Sequence, residues 1–237
     1  MAISESREVS QSLVTDPRVA FFSFIGSPGV GSHLRSLLSP GTRCALEHGG
    51  AAPVILAPDA DLDVAVASIL KGGYDHAGQV CVSVQRVYAP RNLAKGFAQR
   101  LADGASKLIV GDATNEKAEV GPLIRPSEVE RIHQRVGEAG VERLTGGQPI
   151  GETLYQPTVL LDPAEDANVS QREIVGPVVC IYDYAEIADA IKHANSLPFA
   201  VQAAVFTRDI DTAMRVFRQL DASASYLVLS SRNASCR

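Results

Sequence analysis

The chain of 237 residues is 46% hydrophobic and 21% charged, a globular balance that excludes wholesale disorder. Its net charge of −5 comes with no cluster of Lys and Arg, which excludes a basic surface for nucleic acid or anionic membrane. No apolar run approaches the ~20 residues of a membrane span, and the polar opening stretch, with Glu5 and Glu8, reads as no secretory leader.

Strand-like and helix-like segments alternate along the chain. Residues 18–25 are β-rich, and the Gly/Pro turn Gly26-Ser27-Pro28-Gly29 opens a helix over 30–38. Short apolar runs follow at 44–47 and 53–57. Asp59 and Asp61 sit at the start of a helix over 62–74, where carboxylates complement the helix dipole. A strand at 84–88 precedes a helix at 93–107 with apolar residues at helical spacing, then a polar surface loop at 112–119. A second amphipathic helix covers 127–139, with Ser127 and Glu130 at capping-box spacing. Strands at 158–161, 178–182, 201–206 and 226–229 alternate with helices at 187–194 and 212–220. This order predicts an α/β fold: a mostly parallel sheet with helices on both faces, in a single domain over 1–237. Sites in such sheets lie beyond the carboxyl ends of the strands, so the loops after strands are the expected place for chemistry.

Four segments carry candidate chemistry. Gly26-Ser27-Pro28-Gly29-Val30-Gly31 lets the backbone approach a phosphate, although taken alone such a segment is more often a plain tight turn. Leu46-Glu47-His48-Gly49-Gly50 sets an acid just after a strand; Glu47 serves as a general base if it is partly desolvated, and is otherwise a solvated loop carboxylate. His76-Ala77-Gly78-Gln79-Val80-Cys81 places a thiol in a small-residue turn, where backbone amides can hold an oxyanion; the alternative is a buried structural thiol. Arg172-Glu173-Ile174-Val175-Gly176-Pro177 is a charged turn, and its Glu173 either binds a ribose hydroxyl or faces water. Cys44, Cys81, Cys180 and Cys236 have neither zinc nor CxxC spacing, so they read as reduced, cytoplasmic thiols, and no metal site is expected. His33, His133 and His193 read as surface residues on helices.

Taken in order, Ser23-Phe24-Ile25-Gly26-Ser27, Leu46-Glu47-His48-Gly49-Gly50, Asp59-Ala60-Asp61-Leu62-Asp63, Gly78-Gln79-Val80-Cys81, Gly121-Pro122-Leu123-Ile124 and Glu173-Ile174-Val175-Gly176-Pro177 resemble the NAD(P)-dependent aldehyde dehydrogenase superfamily. The matches run from about Val9 to Leu229, and the step of 34 positions from Glu47 to Cys81 fits the family's base-to-nucleophile spacing. The resemblance implies that Cys81 is the nucleophile, forming a thiohemiacetal and, after hydride loss to the nicotinamide, a thioester. It implies that Glu47 is the base, that Glu173 holds the nicotinamide ribose of NAD or NADP, and that Gly26 and Ser27 form the turn nearest the cofactor. The Cys81 amide would supply one oxyanion donor.

The resemblance also has gaps. It covers the catalytic half of the family only; the expected cofactor-domain half and the terminal oligomerisation segment have no counterpart. Ile25 stands for a usual threonine, His48 for a leucine, Val175 for an aromatic, and Phe199-Ala200-Val201 for Tyr-Gly-Leu. The implied partners are a small aldehyde and either a second copy or the missing cofactor-domain half. Two other readings stand beside the dehydrogenase: a non-catalytic, partner-binding module, and an NAD-independent thiol esterase acting through Cys81.

Overall fold

The computed structural model describes residues 7–198 and 200–229. Phe199, Cys236 and the opening residues 1–6 lie outside them. The chain, read from sequence as one domain, separates into two compact units, residues 1–49 and 50–237.

The first unit holds helix α1 (Arg7–Val14), strand β1 (Phe21–Gly26), helix α2 (Pro28–Ser36) and strand β2 (Arg43–His48). β1 and β2 pair in parallel, with Ile25 opposite Glu47 and Gly26 opposite His48. α2 starts at Pro28 because proline suits the first helical turn, where its missing N–H costs nothing.

The second unit runs β3 (Ala52–Leu56), α3 (Leu62–Tyr74), a 3₁₀ turn (Asp75–Gly78), β4 (Val84–Pro90), α4 (Arg91–Ala105), α5 (Pro126–Glu138), β5 (Arg143–Thr145), β6 (Pro149–Ile150), β7 (Leu154–Tyr155), β8 (Thr158–Leu161), α6 (Asn168–Gln171), β9 (Val178–Tyr184), α7 (Ile187–Ala194), β10 (Gln202–Thr207), α8 (Ile210–Gln219) and β11 (Ala224–Leu229). Seven strands form its sheet in the order β11-β10-β3-β4-β9-β8-β5. All pairings are parallel except β5 with β8, which is antiparallel, so the sheet is mostly parallel and mixed at one edge. All five residues of β3 are buried. Since their side chains alternate between the two faces, both faces are covered. Ile55, Leu56, Val87, Val179 and Ile181, on the central strands, have no exposed surface.

Two local expectations fail for identifiable reasons. α5 does not use a Ser127/Glu130 capping box: Pro126 claims the first helical position, Arg125 becomes the N-cap residue without a side-chain cap, and its guanidinium pairs with Glu128 at 3.0 Å. His193 is not a free surface residue. It is half-buried, stacks against Tyr88, and sits 2.9 Å from Glu165. By contrast, Asp61 caps α3 as expected, accepting from the Asp63 and Val64 amides.

Candidate active site

The candidate residues divide between the units. Gly26, Ser27 and Glu47 belong to the first, at the carboxyl ends of parallel strands β1 and β2. Gly26 has φ +156, and a Cβ there would stand 2.7 Å from its neighbour Phe24's ring, so the turn into α2 needs glycine. Ser27 is the N-cap of α2 but makes no side-chain cap bond. Glu47 is exposed in the described structure, not desolvated.

Cys81 and Glu173 belong to the second unit, and the structure does not place these candidates at carboxyl ends of strands. Cys81 precedes β4 and Glu173 precedes β9, so both lie at the N-terminal ends of adjacent parallel strands. The carboxyl-end rule describes ligand crevices at switch points of doubly wound sheets; these residues lie at the opposite edge.

Two left-handed non-glycine residues, His76 (φ 51) and Ala77 (φ 56), lead into Gly78 (φ +68) and turn the chain out of α3. A β-turn follows, closed by the Ser83 amide donating to the Val80 carbonyl at 2.9 Å, with Cys81 at its tip. The N–H of the second residue of such a turn takes no part in the closing bond, which leaves the Cys81 amide available to an oxyanion. Cys81 is a half-buried free thiol. Cys180 is the contrasting case: it is wholly buried on β9, and burial pushes its thiol up to about 12, so it is inert. Cys44 is half-buried in the first unit.

Gln79 fixes the turn. Its Nε2 donates to the His76 carbonyl at 3.2 Å and the Pro122 carbonyl at 3.1 Å, and its Oε1 accepts from the Ile124 amide at 3.0 Å. The Gly121-Pro122-Leu123-Ile124 motif thus serves as a brace for the cysteine turn.

Glu173 sits on a bend held from several sides. Arg135 donates to the Glu173 carbonyl at 2.8 Å, and Arg131 donates to the Ile174 carbonyl at 2.6 Å. Burial raises the Glu173 carboxyl above the usual glutamate range, with Arg131 pulling the other way. Val175 follows at φ 51, a left-handed conformation that β-branched residues rarely adopt. The bend and the cysteine turn touch: a Cβ on Gly78 would overlap the Gly176 carbonyl oxygen. Gly78, Val80 and Ser83 line one narrow crevice together with Glu173, Val175 and Gly176. It leaves about 10 Å³, about one water molecule, so it accommodates part of a ligand's edge and not a whole dinucleotide.

Sequence reading missed two residues of this region, Gln85 and Arg86, both on β4 and both buried. Gln85 donates to the carbonyls of Val169 (3.0 Å) and Arg172 (2.7 Å) and accepts from the Ile174 amide (2.8 Å). Arg86 donates to the carbonyls of Ala51, His193 and Ala194 and to the Tyr88 hydroxyl, at 3.1–3.2 Å. The available signal was a polar pair inside an otherwise apolar strand, since buried polar groups need partners. Among the described residues, no three His, Cys, Asp or Glu side chains converge to hold a metal ion, and no helix is long and apolar enough to cross a membrane.

The sequence model described as the aldehyde dehydrogenase family matches residues 1–233. The 3-sulfolactaldehyde dehydrogenase of Priestia aryabhattai is 36% identical over 221 residues, covering 92% of this chain and 46% of that protein. An NADP-dependent enzyme of E. coli matches in structure with a TM-score of 0.90 at 31% identity, covering 97% of this chain and 50% of that one. An NAD-dependent aldehyde dehydrogenase from Sinorhizobium meliloti gives a TM-score of 0.90 at 31% identity, over 95% and 46% of the two chains. The chain spans about half the length of the curated relatives it matches.

Proposed function

The chain belongs to the aldehyde dehydrogenase family, and we propose that it carries the catalytic half of the NAD- or NADP-dependent oxidation of an aldehyde to a carboxylate. The observation that carries this reading is the contact between the turn that bears Cys81, a half-buried free thiol, and the Glu173 bend: Gly78, Val80 and Ser83 of that turn, though not Cys81 itself, line one crevice with Glu173. Of the residues assigned, Gly26, Ser27 and Glu47 lie in the first unit and Cys81 and Glu173 in the second.

In this reading the Cys81 sulfur adds to the aldehyde carbon, and the oxygen that becomes negative accepts a hydrogen bond from the Cys81 amide. Loss of hydride from the adduct leaves a thioester, which water cleaves to the carboxylate and the free thiol. Glu47 is assigned as the base that takes the proton from the thiol or from that water on the family resemblance alone, since its exposed carboxylate does not meet the desolvation condition in this chain. The residues present fit the ribose end of a nicotinamide cofactor: Glu173 is a half-buried acceptor for sugar hydroxyls at a crevice with glycine walls. The turn at Gly26 and Ser27, with the uncapped start of α2, suits an anionic phosphate. A nicotinamide cofactor, when held by this chain, would supply the acceptor for the hydride. The remaining partners in this reading are a small aldehyde and either a second copy of the chain or a cofactor-binding half, in a reducing, cytoplasmic setting that keeps Cys81 a thiol.

The test is intact mass after exposure to p-nitrophenyl acetate, with Cys81→Ala as control. An acetyl adduct on the native chain that the variant lacks supports an assembled nucleophile and oxyanion donor. Equal labelling of both proteins, or of neither, overturns the assignment of Cys81.

A further inference from the structure

A carboxamide on one side of Cys81, Gln79, braces the segment 122–124. On the other side, four positions beyond the nucleophile, stands Gln85, which is 4% exposed. Its three hydrogen bonds bracket Glu173: Nε2 donates to the carbonyl of Arg172, the residue before it, and Oε1 accepts from the amide of Ile174, the residue after it. The third bond, from Nε2 to the Val169 carbonyl, ties the bend to α6. Only a carboxamide offers two donors and an acceptor at one side-chain tip; a carboxylate offers acceptors alone and a thioether neither. Asparagine falls short by about one bond length, ~1.5 Å. The bend needs such an anchor because Val175, next in the chain, holds a left-handed conformation that its own side chain disfavours.

We propose that Gln85 is a positioning residue: its carboxamide clamps the backbone of residues 172–174 so that Glu173 faces the crevice beside the Cys81 turn and is set to receive the cofactor's ribose. The inference deepens the dehydrogenase reading and rests on it for the identity of the ligand. The clamp itself rests only on geometry.

The two parts separate in one experiment on the full 237-residue chain. Gln85→Met keeps the volume and removes all three bonds. Backbone amide exchange over residues 172–176 should quicken by about tenfold, because a bonded, buried amide is released, while exchange over the turn at 79–83 stays unchanged. The dissociation constant for NAD should rise by about tenfold while the rate of Cys81 acetylation by p-nitrophenyl acetate changes by less than about twofold. A residue that merely stabilised the fold would lower acetylation and NAD binding together. That outcome, or unchanged exchange over 172–176, overturns the proposal. If the native chain binds no NAD, the dehydrogenase reading of this chain fails, and the exchange result still decides whether Gln85 holds the bend. Should Gln85→Met fail to fold, Gln85→Glu keeps the volume and the Ile174 bond, loses both donor bonds, and carries the same comparison.

Discussion

Replacing Gly78 by alanine tests whether the crevice depends on the contact between the cysteine turn and the Glu173 bend. Gly78 sits at φ +68, and a Cβ there would overlap the Gly176 carbonyl oxygen and carbon and stand 3.1 Å from the Pro177 nitrogen. The left-handed backbone alone costs an alanine roughly 1–2 kcal/mol. The overlap is with backbone, which cannot swing aside like a side-chain tip, and overpacking of this kind adds about 1–3 kcal/mol. The sum, about 3 kcal/mol, lowers the midpoint of thermal unfolding by roughly 6–12 °C for a chain of this size. It also pushes the two segments apart, so acetylation of Cys81 by p-nitrophenyl acetate should slow at least about tenfold. Gly96 is the control. It lies on α4 with nothing within 4 Å of an added Cβ, so Gly96→Ala should stabilise by about 0.5–1 kcal/mol and leave acetylation unchanged. Denaturant melts and intact-mass kinetics on both variants decide the matter. A Gly78→Ala chain within about 1 kcal/mol of native stability, acetylating at the native rate, would refute the reasoning.

Three further outcomes follow from the same geometry. Burial raises the Glu173 carboxyl above its unfolded value; the unfolded chain therefore loses that proton first, and the group's contribution is full at low pH and lost as pH rises through the folded pKa. Glu173→Gln should accordingly gain stability over the native chain at pH 7 and gain none at pH 4, read as denaturation midpoints at the two pH values. Arg86→Met strips donors from the carbonyls of Ala51, His193 and Ala194, and urea denaturation should show a loss of about 3 kcal/mol. Cys180, wholly buried with its thiol pushed up to about 12, should resist alkylation in the native chain at pH 8 and react only on unfolding; peptide mapping shows this directly, with Cys81 alkylated first.

The central elements were legible because their sequences meet one physical demand each. Residues 53–57 and 178–182 are apolar without alternation, and a strand covered on both faces requires that. Asp61 announced α3 because its carboxylate serves the free amides of the first turn. The short antiparallel strands β5, β6 and β7 were not legible: two or three residues carry no period, and β5 is fixed by pairing with β8. The Ser127 capping box misled because Pro126, one residue earlier, competes for the helix start and wins. In the candidate site, Cys81 and Glu173 were singled out by the order of their motifs, and both turns already stood ahead of the strands at 84–88 and 178–182; that those strands are neighbours was not legible. Strand order decides which ends meet, and β9 inserting between β4 and β8 is a long-range choice that no local pattern records. Gln85 and Arg86 were passed over because a polar residue in a strand reads as solvent-facing until its partners are seen.

The strain at this edge bears on whether the chain is a reaction scaffold or only a binding module. His76, Ala77 and Val175 hold left-handed conformations, each costing roughly 1–3 kcal/mol. The sheet does not require them: β4 and β9 pair in regular parallel register whatever the path of the preceding loops. Relaxed loops would leave the core intact and recover that free energy. Four side chains, Gln79, Gln85, Arg131 and Arg135, instead hold those bends in place through backbone hydrogen bonds. What the strained path secures is local: Cys81 at a turn tip, Glu173 half-buried, and a close approach of Gly78 in the one segment to Gly176 in the other. A partner-binding surface needs shape and area but no such constraint on a single thiol and a single carboxylate, so the geometry favours chemistry at Cys81 over a purely structural role.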